Sequence, residues 1–395
     1  MKTLFKIFSV IISLLIFTSI YLSGCDNDKK EKVVEDNTLP LSMGGEYNET
    51  TVNCKHSYGM TFTQIGDSIM YLIFGGERSS YVGVNINTGI VTNICRDPMC
   101  SHTGSACFSS RNYGFSFKTY KNRLYMIEMV ASKNANNRIL STNQYAEDAI
   151  IHYENDGNSI SQIVVNDKYI FFSQRDGENI DNIYRLDLKT NEVKCMTKDN
   201  KDIYYSPLFI INDYLYFSDE MKMYRTDFDF KNIEIVKEDA ANNGFQTDSE
   251  YIYYHKYIKS TENNYDGEHL LMRMNLDGTD EKIIEENAGT FFLTDKNIYF
   301  SYSMRDIEAL QWGKQFDSIK GKIYKMDKDG NNVELITDIP DLFILGDYYI
   351  YGDYIYFNVA NMENWKDYGG ISMKPNPYRV KIGSNEVPQE LIYNP

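Results

Sequence analysis

Positive charge is scarce in this chain of 395 residues. Lys and Arg together number 40, whereas Asp and Glu number 56, and the formal net charge at pH 7 is −16. Nucleic-acid binding draws much of its affinity from Lys and Arg that neutralise phosphates. Electrostatic attachment to anionic lipid headgroups has the same requirement. The composition therefore argues against both kinds of partner.

Sequence signatures of catalysis are also missing. The chain contains no Gly-x-Ser-x-Gly elbow, no phosphate-binding loop, no dinucleotide fingerprint and no HExxH helix. His152, His255 and His269 are isolated in the sequence, and a lone histidine is more often structural than catalytic. The sequence predicts no catalytic residue and favours a function other than catalysis.

Aromatic residues, by contrast, are plentiful and recur in a repeated pattern. The chain has 33 Tyr and 21 Phe, enough for a large core packed between sheets. A polar turn, an aromatic-rich strand, a loop and a second hairpin follow one another seven times. The copies begin near Gly66, Lys121, Asn166, Asn212, Asp248, Asp295 and Gly352, at spacings of 55, 45, 46, 36, 47 and 57 residues. This period is typical of four-stranded propeller blades.

The repeat predicts an all-β fold, a β-propeller of seven four-stranded blades. Six or eight blades are the alternatives, because the second unit, Lys121 to His152, lacks a clean third strand. The segment before Gly66 is a candidate for a strand that closes the last blade and removes a free sheet edge.

The repeat resembles known families of propellers. Ile323 to Thr337, with its Met-Asp-x-Asp-Gly-Asn core, looks like a TolB-type repeat, and Leu271 to Ile284 is a second close copy. From Gly66 to Ile392 the pattern also resembles low-density-lipoprotein-receptor-type propellers and uncharacterised propeller lipoproteins of Gram-positive bacteria. These families are mainly binding modules, so the resemblance implies a binding role. The Trp-Asp signature of WD repeats, the paired glycines of kelch repeats and the Asp boxes of sialidases are absent.

The first 25 residues resemble a bacterial lipoprotein signal peptide. Lys2 and Lys6 precede an apolar run that ends at Leu22-Ser23-Gly24-Cys25, which looks like a lipobox. The resemblance implies cleavage and lipidation at Cys25. A plain transmembrane anchor is the alternative, because the apolar run approaches the length of a membrane-spanning helix.

The domain boundaries follow from these assignments. Residues 26–45 are charged and poor in apolar side chains, which is typical of a flexible tether. Residues 46–395 are predicted to form a single propeller domain. The mature protein is expected to be lipid-anchored and to face outward from the cell membrane.

The connections between the second and third strands of the blades are predicted to be long, and binding residues favour such loops. Aromatic residues within them are candidates to bind a glycan or a protein. They are Tyr265, Trp312, Phe316, Trp365 and Tyr368. The alternative is that each Trp packs down to hold its own loop.

A cysteine-rich segment follows the first blade. Cys95, Cys100, His102 and Cys107 lie within thirteen residues, and Cys54 is expected nearby on the same face. Three thiols and an imidazole could bind zinc in a tetrahedral site. Disulfides are natural in an exported protein, and reactive thiols are the third alternative.

The sequence therefore predicts a membrane-anchored binding or scaffold protein whose partner is a protein or a glycan. Two other functions stay open. One is a polysaccharide-active hydrolase or lyase on a propeller, and the other is a metal or redox protein centred on Cys95 to Cys107.

Overall fold

The aromatic strands of the repeat pack on both of their faces. In Tyr169–Arg175, the side chains of Ile170, Phe171 and Phe172 are completely buried. Ile170 and Phe172 pack against Tyr125 of the preceding repeat, whereas Phe171 packs against Leu215 of the following one. A strand whose alternate side chains face two neighbours must lie between two sheets. The repeat therefore builds a stack of sheets.

The computed structural model describes residues 52–54, 62–75, 78–95, 99–100, 113–128, 137–155, 158–176, 181–197, 205–219, 222–238, 245–259, 267–302, 322–338, 343–361, 372–373, 376–384 and 386–392. Every regular element in these ranges is a β-strand, and they contain no helix long and apolar enough to cross a membrane.

Seven antiparallel sheets form seven blades, and the four main strands of each blade follow one another along the chain as strands A to D. One short strand, β1 (Val52–Cys54), precedes the first blade. Blades 1 to 3 contain β2 (Thr63–Ile65), β3 (Ser68–Gly75), β4 (Arg78–Asn85) and β5 (Val91–Asn93); β6 (Tyr113–Tyr120), β7 (Arg123–Glu128), β8 (Arg138–Thr142) and β9 (Ile150–Glu154); and β10 (Ile160–Val165), β11 (Tyr169–Arg175), β12 (Asp181–Asp187) and β13 (Val193–Cys195).

Blades 4 to 6 contain β14 (Ser206–Ile211), β15 (Tyr214–Ser218), β16 (Met223–Asp227) and β17 (Ile233–Lys237); β18 (Phe245–Thr247), β19 (Tyr251–Lys259), β20 (Gly267–Asn275) and β21 (Lys282–Glu286); and β22 (Ala288–Leu293), β23 (Asn297–Tyr302), β24 (Lys322–Asp327) and β25 (Glu334–Asp338). Blade 7 contains β26 (Phe343–Tyr351), β27 (Tyr354–Asn361), β29 (Tyr378–Lys381) and β30 (Gln389–Glu390), and the short β28 (Ser372–Met373) pairs with β27. Contacts between the A strands of neighbouring blades place strand A at the centre of the ring.

Blade 2 settles the number of blades. Its strand C is β8, which carries Arg138, Ser141 and Thr142 and lacks the tyrosine that strand C has in blades 1, 3, 4, 6 and 7. Ser141 is completely buried, and its hydroxyl is hydrogen-bonded to Arg123 Nε at 3.0 Å and to His152 Nε2 at 2.7 Å. Buried polar residues with partners are compatible with a core strand, but they hide the repeat in the sequence. The predicted seven blades are confirmed.

The prediction that the N-terminal segment closes the last blade is wrong. Blades 1 and 7 each take their strands from their own repeat, and β1 instead pairs with β18 of blade 5. Side chains join blade 7 to blade 1: Tyr351 Oη donates to the Phe62 carbonyl at 3.0 Å, and Arg379 Nη1 donates to the Ile86 carbonyl at 2.8 Å. One apolar cluster spans blades 6, 7 and 1. The ring therefore closes without exchanging a strand.

An arginine of strand C links several pairs of neighbouring blades in the same way. Arg185, Arg273 and Arg379 lie 4.7, 4.3 and 4.2 Å from the ring centre of the tyrosine that begins strand B of their own blade. Each guanidinium also donates to a carbonyl in the C–D turn of the next blade. The acceptors are Phe228, Lys328 and Ile86, at 2.6, 2.7 and 2.8 Å. These contacts fix the spacing of the blades.

Candidate functional site

The two faces of the ring differ in how their strands are joined. Because the strands alternate in direction, the A–B and C–D links emerge on one face, called here the turn face. The B–C and D–A links emerge on the other, called the loop face. The A–B links on the turn face have two or three residues in every blade: 66–67, 121–122, 166–168, 212–213, 248–250, 294–296 and 352–353.

Side-chain oxygens close the links of the turn face. Asn166 Oδ1 accepts hydrogen bonds from the backbone amides of Lys168 and Tyr169, at 2.9 and 2.8 Å. In the C–D turn of the same blade, Asp187 Oδ1 accepts from the amides of Thr190 and Lys189, at 2.9 and 2.8 Å, and these bonds lower the pKa of Asp187. Asn and Asp favour such turns because they bond to their own backbone. The links of the turn face are therefore short and rigid.

The B–C links of the loop face vary widely in length. They range from two residues in blade 1 (76–77) to nineteen in blade 6 (303–321). Not every link on this face is long, however, since the D–A link between blades 5 and 6 is the single residue Asn287. The predicted long B–C links are therefore present in some blades, such as blade 6, and absent from others, such as blade 1.

At the base of the loop face, blades 2 and 3 share a buried polar network. Gln174, at the end of β11, is 5% exposed, and Asn155, after β9, is 8% exposed. Gln174 Oε1 accepts from Tyr153 Oη at 2.8 Å and from Asn155 Nδ2 at 2.9 Å. Asn155 Nδ2 also donates to the Asn158 carbonyl, as does Asn137 Nδ2, at 2.9 and 2.7 Å. These amides tie together the ends of three connections.

Asp176 extends the network towards solvent. Its Oδ1 accepts from Gln174 Nε2 at 3.0 Å, and its Oδ2 accepts from Asn182 Nδ2 at 2.9 Å and from Tyr184 Oη at 2.6 Å. Burial and this hydrogen bond raise the pKa of Tyr184 far above its usual value. Thr197 completes the network by donating to Asn182 Oδ1 at 2.9 Å. The carboxylate thus fastens the B–C connection of blade 3 to strand C.

Blade 4 repeats this device. Asp219 follows β15 as Asp176 follows β11, and Tyr224 occupies the position of Tyr184 in strand C. Asp219 Oδ2 accepts from Tyr224 Oη at 2.6 Å, and Oδ1 accepts from the Lys222 amide at 2.6 Å. From the sequence alone, Asp176 belongs to a general acidic surface and the tyrosines to the core. An Asp directly after strand B, followed by a Tyr in strand C, is the signal that would have revealed the pair.

The structure describes only part of the predicted cysteine cluster. Cys95 and Cys100 are half-buried beyond β5, the outer strand of blade 1. The backbone of Cys54 lies in β1, opposite Phe245 of blade 5, so it belongs to a different blade from the cluster. His102 and Cys107 lie outside the described residues. Within the described ranges, no group of three or more His, Cys, Asp and Glu side chains could hold a metal ion.

The candidate ligand-binding aromatics and the lipidation site also lie outside the described residues. They are Tyr265, Trp312, Phe316, Trp365, Tyr368 and Cys25. Their roles, and the boundaries at residues 25 and 45, stay predictions.

Two of the isolated histidines pack against aromatic residues, His152 within blade 2 and His255 across the boundary between blades 5 and 6. The His152 ring stacks on Tyr125 with centroids 5.6 Å apart, and burial followed by the charge of Arg123 lowers its pKa. The His255 ring meets the Phe291 ring edge-on at 4.9 Å. These contacts agree with structural roles for both side chains.

Solved structures share this architecture. The β-propeller domain of the Trilobed protease from Pyrococcus furiosus, which has an open velcro topology, matches 85% of this chain and 98% of its own length, with a TM-score of 0.52 at 11% identity. An acylaminoacyl peptidase from Pyrococcus horikoshii matches 88% of this chain and 54% of its own, with a TM-score of 0.53 at 11% identity. The chain is a β-propeller.

TolB from Acinetobacter baumannii is also similar, with a TM-score of 0.44 at 14% identity over 70% of this chain and 65% of its own. No protein-family model and no curated protein matches the chain. At such identities, the two structures with TM-scores above 0.5 show a common fold and carry no information about ligands. The predicted kinship with lipoproteins of Gram-positive bacteria stays a prediction.

Proposed function

We propose that this chain is a lipid-anchored, extracytoplasmic binding protein whose loop face binds a protein or glycan partner. In this proposal Cys25 carries the lipid, residues 26–45 form the tether, and residues 46–395 form the binding domain. Two acyl chains hold a protein stably on a bilayer, whereas a single chain does so only marginally.

The contrast between the two faces carries the proposal. All seven A–B links on the turn face have two or three residues, and side-chain caps hold those of blades 3, 5 and 6. The B–C links on the loop face vary from two to nineteen residues on the same repeated strands. Variable connections on a rigid scaffold are where binding residues concentrate. The loop face is therefore the better candidate for recognition.

The polar network below the loop face supports the same conclusion. Gln174, Asn155 and Asn182 are more than 90% buried, and each bonds to residues at the ends of different connections. Satisfied buried networks hold their members in one arrangement. A rigid base lowers the entropy lost when the loops above it bind a partner.

The candidate aromatic residues indicate which ligands the loop face would bind. Trp and Tyr side chains offer a flat apolar face together with a polar edge, which suits sugar rings and peptide segments. The acidic composition of the chain points to neutral or cationic ligands. No contact among the described residues favours the polysaccharide-active enzyme or the metal and redox protein, so both stay predictions from the sequence.

Binding assays on matched variants test the proposal. Trp312→Ala and Trp365→Ala should each weaken binding, measured on an array of bacterial surface polysaccharides and by photo-crosslinking to envelope proteins in cells. Tyr214→Ala is the control, because Tyr214 is an aromatic residue on the turn face that is 41% exposed. If all three variants bound as tightly as the wild type, the claim that the loop face is the binding surface would be contradicted. Equal losses in all three would point to the turn face or to a general folding defect, which thermal unfolding separates.

A further inference from the structure

The position of β1 shows where the N-terminal part of the chain meets the ring. β1 pairs antiparallel with β18, the inner strand of blade 5, with Val52 opposite Thr247 and Cys54 opposite Phe245. It also contacts β14, the inner strand of blade 4. The inner strands of blades 2 and 3 and those of blades 3 and 4 contact each other directly. β1 therefore lies in the central channel, beside the inner strands of blades 4 and 5.

The direction of β1 follows from this pairing. Each inner strand starts at a D–A link on the loop face and ends at an A–B turn on the turn face. Thr247 directly precedes the turn at 248–250, so Val52 lies at the turn-face end of the channel. Cys54 lies at the loop-face end, and β2 also begins on that face. The chain before Val52 is thus attached at the centre of the turn face.

We infer that the turn face is the membrane-proximal side of the propeller and that the loop face points away from the membrane. The inference rests on the proposed lipid anchor at Cys25. It deepens the proposed function, because the loop face would then be accessible to partners outside the cell. Partners embedded in the membrane would not reach it.

The length of the tether supports this orientation. If the predicted tether at residues 26–45 and the six residues that follow it form a flexible coil, the 26 residues from Asp26 to Thr51 would span about 28 Å on average. A seven-residue strand such as β11 is about 23 Å long, which is roughly the height of blade 3. A tether that begins at the centre of the turn face would have to cross the ring radius and this height to bring the loop face to the lipid. The chain would have to stretch beyond its average span to do so, at a cost in conformational entropy.

Energy transfer from the protein to the lipid measures the orientation. The full-length lipidated protein would be placed in vesicles of phosphatidylethanolamine and phosphatidylglycerol that contain an acceptor-labelled lipid. A donor dye would be attached through an azide-bearing amino acid at Lys189 or at Ser159, which leaves the native thiols untouched. Both positions are exposed and belong to blade 3, Lys189 on the turn face and Ser159 on the loop face.

Transfer from position 189 should exceed transfer from position 159 by about twofold or more, because a blade height separates the two dyes. Equal transfer, or stronger transfer from position 159, would overturn the inference. The binding assays on the loop face would then still decide the proposed function separately. Failure of the protein to associate with the vesicles would refute the lipid anchor, and the orientation with it.

A disulfide trap tests the position of β1 without a membrane. The pair V52C and T247C faces across neighbouring strands, a separation that a disulfide can bridge. The pair V52C and V165C is the control, since Val165 ends the inner strand of blade 3 as Thr247 ends that of blade 5. Mass spectrometry should find the 52–247 link and not the 52–165 link. The reverse result, or neither link in folded protein, would place β1 elsewhere and remove the basis of the inference.

Discussion

At the scale of single residues, the arginines of strand C hold the blades in register. Arg273 and Arg379 are 6% and 4% exposed, so nearly the whole guanidinium is removed from water. Such a group stays stable only when hydrogen bonds and nearby charge replace its hydration. Arg273 meets this need with the Lys328 carbonyl and with Asp329, whose carboxylate lies 2.9 Å away. Arg379 relies on the Ile86 carbonyl and on Gln389.

Arg379→Ala should destabilise the protein by about 3 kcal/mol, because it leaves a buried carbonyl unsatisfied and removes a stacked cation. Lys325→Ala is the matched control, since Lys325 occupies the same position of strand C in blade 6 and pairs with Glu334 near the surface. Its loss should cost less than about 1 kcal/mol. Urea unfolding curves measure both values. Similar losses in the two variants would show that the arginine has no special part in closing the ring.

His152 should make stability depend on pH below neutrality. Its pKa is lowered in the folded protein, so the unfolded chain takes up a proton first, near pH 6.5. The contribution of His152 is therefore complete above that pH and is lost as the pH falls towards the folded pKa. The urea midpoint of the wild type should drop more between pH 7 and pH 5 than that of His152→Gln. Identical drops would assign the effect to the carboxylates alone.

At the scale of elements, the C–D turns pack against the outer strand of the preceding blade. Gly278 has a φ of +84°, and a Cβ atom there would overlap the carbonyl oxygen of Val236 in β17. Gly330 repeats the contact one blade further on, where a Cβ atom would lie 2.6 Å from the Ile284 carbonyl oxygen. The turn glycines thus allow both a left-handed backbone and close approach between blades.

Gly278→Ala should cost about 3 kcal/mol, whereas Gly383→Ala should cost about 1 kcal/mol. Gly383 also has a positive φ, +70°, but a Cβ atom there would meet nothing within 4 Å. Gly383→Ala therefore introduces the same kind of backbone strain as Gly278→Ala, without the steric overlap of the new Cβ atom. Chemical denaturation of both variants measures the difference. Equal costs would mean that the backbone conformation alone requires glycine at these turns.

At the scale of the whole molecule, each blade is complete without strands from elsewhere. The seven sheets take their A to D strands from seven consecutive segments, and β1 is an addition to a sheet that already has four strands. The ring should therefore assemble without β1, and β1 should contribute only the burial and hydrogen bonds of three residues.

A chain that begins at Phe62 should still unfold in a single cooperative transition. Its free energy of unfolding should be lower by about 2 kcal/mol than that of a chain that begins at Glu46, because each net hydrogen bond contributes about 1 kcal/mol. Urea denaturation followed by circular dichroism checks both statements. Loss of cooperative unfolding in the shorter chain would show that β1 is needed to assemble the ring.

The sequence by itself determined most of the strands and turns and predicted seven blades, because these depend on neighbouring residues. Strand C of blade 2 is the exception. Aromatic and branched side chains specify a strand such as Tyr169–Arg175. Asn166 and Asp187 each close a turn of the same blade by bonding to backbone amides two or three residues away.

Only the tertiary structure decided how the ring closes, where β1 lies and what Asp176 does. Arg379 and the Ile86 carbonyl are 293 residues apart in the chain, and no local pattern specifies a contact at that distance. The pairing of β1 with β18 and the buried amides of blades 2 and 3 likewise join separate repeats. Such contacts form only when the blades meet, since each buried polar group must then find a partner among the residues that the ring brings to it.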